Sequence, residues 1–304
     1  MDRPLRPAPS GEQFELRHGD QRVVVVEVGA ALRSYRVGDR DVLDGYGIGE
    51  HADGGRGQPL IPWPNRLRDG RYEWEGETHQ LPLSEPALGN AIHGLVRWRN
   101  WGVLAWAAAR VTFGLRLFPM VGYPFTLGLT IEYELNDGGL RVCTRAENLG
   151  GRTCPYGVGF HPYLTLGGPI DAARLRLPVE RHLIVDERAI PISSEPVAGT
   201  RFDFREPREI GALVLDTCFC DPARDADGRA RVTLADERAK VTVWVGDAFR
   251  YLMLYSGDAF AADRRRRSLA IEPMSCAPNA FVSGEGLVAL APGETHVAEW
   301  GIEP

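Results

Sequence analysis

Apolar and polar residues alternate along much of this chain. From Thr126 to Leu135, Leu127, Leu129, Ile131, Tyr133 and Leu135 fall on one face and Thr130, Glu132 and Glu134 on the other. A period of two is that of a strand with one face on a core. Asn136-Asp137-Gly138-Gly139 follows as a hairpin turn, and Leu140 to Glu147 reads as its return strand. Arg22 to Val28 is rich in β-branched residues and reads as another strand. Lys240 to Val245 and Arg250 to Tyr255 read as a second hairpin, joined by Gly246-Asp247-Ala248-Phe249. Ser268 to Glu272 and Thr295 to Trp300 read as late strands.

No amphipathic helical pattern runs beyond about three turns, and the 35 glycines and 22 prolines punctuate the strands at short intervals. The expected class is all-β, a large antiparallel β-sandwich of two sheets packed face to face. No linker, repeat or composition shift divides the 304 residues, so one domain over residues 1–304 is expected.

Composition narrows the partners. A formal net charge of -6 argues against nucleic acid, which calls for a basic surface. No apolar run is long enough to cross a bilayer. The N-terminus has no apolar core of a secretory signal, and the five scattered cysteines suggest a reducing, cytoplasmic setting. Cys218 and Cys220 would share one strand face as two small buried thiols. A metal pair is disfavoured there because no second Cys/His pair lies at ligand spacing. Arg264 to Arg267 reads as a solvated loop, with phosphate binding as the alternative.

Seven histidines are present. His18, His51, His79, His182 and His296 have polar neighbours and are expected at the surface. His161 differs: it precedes Pro162, which favours an extended backbone and interrupts a sheet ladder, and Phe160 and Tyr163 flank it. His93 sits in Gly89-Asn90-Ala91-Ile92-His93-Gly94-Leu95, where small residues let the backbone bend. Each is either functional or a core histidine satisfied by a backbone hydrogen bond.

Pro62-Trp63-Pro64-Asn65-Arg66 is stiff. It either presents Trp63 as a flat face for a sugar ring, with Asn65 and Arg66 as directional donors, or is a structural proline-rich loop. In Leu269-Ala270-Ile271-Glu272-Pro273, a lone carboxylate ends an apolar run, and burial would raise its pKa toward that of a useful base. Asp216 repeats this pattern after Leu213-Val214-Leu215.

Together, Pro62-Trp63-Pro64-Asn65-Arg66 with Gly70 and Tyr72, His93-Gly94, His161-Pro162-Tyr163, Glu272 and Leu290-Ala291-Pro292-Gly293-Glu294 resemble the aldose 1-epimerases, or galactose mutarotases. Order and spacing agree over roughly residues 20 to 300. The resemblance implies an isomerase with an open sugar cleft and no metal or organic cofactor. It implies Glu272 as general base at the C1 hydroxyl, His161 as general acid at the ring oxygen and His93 as the orienting group. Asn65, Arg66 and Asp216 would bind hydroxyls, with Trp63 and Tyr163 beside the sugar. The chain departs from the family pattern at Asp216-Thr217-Cys218-Phe219 and Pro273-Met274-Ser275. The partner is then a monosaccharide, handled by a monomer or homodimer. A hexose-6-phosphate epimerase, a carbohydrate-binding sandwich without turnover, and a lyase or glycosidase are the rivals.

Overall fold

A computed structural model describes residues 7–304. The fold is all-β, with antiparallel sheets. Gly102–Ala107, Arg110–Leu117, Leu127–Asn136, Gly139–Asn148, Thr295–Glu303, Lys240–Val245, Ala230–Ala235, Arg174–Arg176 and Arg208–Glu209 lie in that spatial order in a nine-stranded sheet. The second sheet has eight strands: Pro191–Pro196, Val179–Val185, Asp216–Pro222, Tyr251–Tyr255, Leu269–Met274, Gly159–Phe160 and Pro59–Leu60 in order, with Tyr163–Leu164 also on Leu269–Met274. One continuous apolar core contains residues of both, such as Ile131 and Val243 with Phe219 and Leu252. Across it the rings of Phe160 and Trp300 lie 5.1 Å apart.

Alternation carries over directly. In Leu127–Asn136 every odd position is buried and the even ones are not, and the strand pairs in register with Gly139–Asn148. The supposed hairpin of residues 240–255 does not form. Lys240–Val245 pairs with Ala230–Ala235 and Thr295–Glu303, whereas Tyr251–Tyr255 pairs with Asp216–Pro222 and Leu269–Met274. The turn at 246–250 instead carries the chain from one sheet to the other.

Two further expectations need correction. His79 and His182 are buried: His79 packs its ring 4.9 Å from Tyr72, and His182 packs 4.6 Å from Phe202. The Arg264 to Arg267 run is not uniformly solvated either. Arg264 pairs with Asp44 and Asp53, and Arg266 pairs with Asp171 and Asp258.

Glu272 sits within its strand rather than ending it, since Leu269–Met274 continues through Pro273. This strand is buried on both faces. Leu269 and Ile271 point into the main core. Glu272 and Met274 therefore face the opposite side of the sheet, because strand side chains alternate. On that side a second apolar cluster forms from Cys218, Cys220, Tyr251, Met253 and Met274. The two thiols thus share a buried face. Met253 pairs with both Cys218 and Glu272, while Tyr255 pairs with Asp216 and Ala270, and Ala270 pairs with Tyr163. The register therefore lines up Glu272, Asp216, Tyr255 and Tyr163 on one outer surface.

Candidate functional site

A cavity of about 590 Å³ opens over this surface. Its lining includes Asn65, Arg66, His93, His161, Tyr163, Asp216 and Glu272. Five segments far apart in sequence therefore meet here. Trp63 does not join them. It is 3% exposed and packs 5.4 Å from Phe281, so its ring belongs to the core and the expected sugar platform is absent at this position.

His161 is placed by the break in the sheet. Gly159–Phe160 and Tyr163–Leu164 both pair with Leu269–Met274, and His161-Pro162 bridges them. The backbone N–H of His161 donates to the Gln58 carbonyl, and its own carbonyl accepts from Gly57 N–H. Its imidazole stacks on Tyr163 at 4.8 Å and 13°. Gly55, whose φ is +79°, also lies against the imidazole. A Cβ at Gly55 would stand 2.8 Å from His161 Cδ2, so only glycine permits this ring position.

His161 Nε2 lies 3.3 Å from Glu272 Oε1. Both residues are buried, at 5% and 2% exposure. Burial, and then the Asp216 carboxylate, push Glu272 well above the usual carboxylate range, while Arg66 pulls it back. Burial, and then Arg97, push His161 down to about 3. Both shifts favour the neutral acid beside the neutral imidazole. Moving one proton across the 3.3 Å contact gives carboxylate and imidazolium without changing the total charge. The pair can therefore present either a base or an acid. Glu272 Oε2 and His161 Nδ1 are buried without a hydrogen-bond partner, which is unmet polar capacity of the kind a ligand satisfies.

His93 is both satisfied and available. Its Nδ1 accepts from Asn65 N–H at 3.2 Å, and its own backbone N–H donates to the Asn65 carbonyl at 2.9 Å. Accepting at Nδ1 puts the proton of a neutral ring on Nε2, making that nitrogen a donor. Burial, and then His161 and the nearby arginines, keep His93 neutral. Asn65 and His93 both have left-handed backbones, with φ of 56° and 62°. Such strain in non-glycine residues is uncommon and clusters at functional sites. Gly94 follows because a Cβ there would sit 2.0 Å from the Ile61 carbonyl oxygen.

Arg66 is fixed by a two-pronged pair with Glu85, at 2.9 to 3.1 Å, and Glu85 is held in turn by Asn90. Asp216 lines the cavity at the exposed first position of its strand, where partial desolvation by the surrounding walls raises its pKa while Arg66 opposes the rise.

Sequence reasoning missed Trp98 and Tyr255. Both line the cavity, and Trp98 is 54% exposed, with its ring 5.9 Å from that of His51. The available signal was position: Arg97-Trp98 comes just after the His93-Gly94 turn. Of the arginines that a sugar phosphate could use, Arg97 lines this cavity together with Arg66, whereas Arg99 and the residues 264–267 are not in its lining.

The aldose 1-epimerase family model matches residues 12–303, and the chain belongs to that family. It is 35% identical over 289 residues to the uncharacterized protein YihR of Escherichia coli K12, covering 94% of this chain and 91% of that protein. It is 28% identical to the aldose 1-epimerase of the same organism, covering 83% of this chain and 81% of the relative. The mouse galactose mutarotase is 29% identical, over 68% of this chain and 66% of that one. Among solved structures, the GalM/aldose epimerase homologue of C. elegans superposes with a TM-score of 0.84 at 18% identity, over 96% of this chain and 97% of that one. That likeness establishes the galactose mutarotase-like fold.

Proposed function

We propose that this chain is an aldose 1-epimerase that interconverts the anomers of an aldose by opening and closing its ring. The observation that carries the reading is the contact between His161 Nε2 and Glu272 Oε1, 3.3 Å long, with the remaining polar atom of each side chain unpartnered and buried beside the cavity. Mutarotation removes one proton from the C1 hydroxyl and adds one to the ring oxygen. A site holding one mobile proton between a base and an acid matches that requirement.

In this mechanism Glu272, as carboxylate, takes the C1 hydroxyl proton, and His161, as imidazolium, gives its proton to the ring oxygen. The bond between C1 and the ring oxygen breaks, leaving an aldehyde at C1 and a hydroxyl on C5. Rotation about C1–C2 turns the other aldehyde face toward that hydroxyl. Closure reverses both transfers and restores the starting protonation. His93 donates through Nε2 to the sugar near C1, and Asn65, Arg66 and Asp216 bind hydroxyls. Tyr163 backs the His161 ring. The substrate partner is a monosaccharide, and the residues need no metal or organic cofactor for these transfers.

The test is anomer exchange of a free aldose, followed by polarimetry or NMR on purified protein. Exchange above buffer that falls in His161→Asn and Glu272→Gln supports the reading. Sugar binding by calorimetry without exchange overturns it in favour of a binding sandwich.

A further inference from the structure

The cavity contains a cation without a counter-charge. Arg66 is matched by Glu85. At the neighbouring rim, Arg56 is matched by Asp53, and Arg264 by Asp44 and Asp53. Arg97 lines the cavity, is half-buried, and among the described residues has no carboxylate within ion-pair distance. Among the described residues its side chain makes one hydrogen bond, a long one of 3.4 Å from Nη1 to the Gln58 amide oxygen. Its guanidinium also lies 5.7 Å from the Trp98 ring centroid. Burial alone accounts for the lowering of its pKa, and no acid offsets it. A partly desolvated, always-protonated guanidinium beside a polar cavity is costly unless an anion joins it.

Resting on the mutarotase reading, we infer that the sugar taken by this site carries a single negative charge away from C1, which pairs with Arg97. The charge count chooses the class. One unmatched guanidinium balances a monoanion such as a carboxylate or sulfonate. A phosphate monoester, carrying about two charges at neutral pH, would leave one of them unmatched by Arg97. The next arginine, Arg264, is already engaged.

This binding also affects the proton-transfer pair. After burial, Arg97 is the charge that holds down the proton affinity of His161. An anion seated on Arg97 weakens that influence, so the intended substrate itself makes His161 easier to protonate.

The experiment compares kcat/KM for anomer exchange of glucose, glucuronate, a C6 sulfonate of glucose and glucose 6-phosphate by NMR. The expected result is a preference of at least about tenfold for a monoanion over glucose, consistent with a charge-assisted contact. Arg97→Gln should collapse the ratio of monoanion to glucose toward one, and Arg97→Lys should keep part of it. Equal rates for glucose and both monoanions overturn the inference while leaving the mutarotase reading intact, as does a preference for glucose 6-phosphate over both. Absence of exchange with every sugar overturns the mutarotase reading itself.

Discussion

Two clefts lie side by side on this molecule and share His51 and Asp53. The larger, about 1160 Å³, is lined by Asp44, Asp53, Arg56 and Arg264, whose charges are matched to one another, and by Arg40 and Tyr46, whose Nη1 and hydroxyl are buried without a partner. The smaller, about 590 Å³, contains the unpartnered Glu272 Oε2, the unpartnered His161 Nδ1 and the uncompensated Arg97. Neither size nor unmet polar atoms alone separate the two clefts; of the two, it is the smaller that holds an acid and an imidazole in contact with each other, each with its other polar atom dry and unpartnered, and that pairing marks where proton transfer is expected.

The comparison breaks most sharply at the proton-transfer pair. Glu272→Gln and His161→Asn should each lower anomer exchange by ~10²–10⁴-fold. Gly55→Ala comes next: its new Cβ would press on the imidazole, and a displacement of that kind should lower kcat by roughly 10- to 100-fold. Circular dichroism should show the sheets intact. Trp98→Ala should raise KM about two- to tenfold, the range expected for losing one aromatic face, with a smaller change in kcat. Arg264→Ala, in the larger cleft, should alter kcat/KM by less than about threefold, as for a partly exposed ion pair. A large loss there would erase the distinction between the clefts.

Stability against pH sharpens the same point. The folded-state pKa of Glu272 is raised, so its stabilising contribution is present below its ordinary value of 4.5 and is lost as pH rises through the folded value. Glu272→Gln should therefore raise Tm relative to the parent at pH 8 more than at pH 4. The folded-state pKa of His161 is depressed, so its contribution is present above 6.5 and is lost as pH falls toward about 3. His161→Asn should gain relative stability over that acidic window. Melting curves of the two variants across pH check both signs.

Much of this was legible in the sequence, and the failures have physical causes. Strands such as Leu127–Asn136 were legible because one face is wet and the other dry, which sequence records as alternation. The connection after Lys240–Val245 was misread because a tight hairpin and a crossover between sheets use the same turn residues. Only packing decides which sheet the next strand joins. His161, Glu272, Asn65 and Arg66 stood out because prolines and an isolated polar residue in an apolar run are local features. Trp63 looked like a binding face for the same reason, but its stiff setting turns it inward onto Phe281. Trp98 was overlooked because a tryptophan between two arginines reads as ordinary surface. His79 and His182 were placed outside because their neighbours are polar, yet their rings lie against Tyr72 and Phe202.

In the proposed mechanism His161 and Glu272 act as one proton-transfer unit on a sugar ring. Exchange NMR on a reactive aldose, comparing the parent chain, His161→Asn, Glu272→Gln and the double variant, tests it most directly. Residues that act as a unit are strongly non-additive, so the double variant should be about as slow as the slower single one. Losses that multiply, or exchange in the parent chain no faster than in buffer across neutral and anionic aldoses, would contradict it.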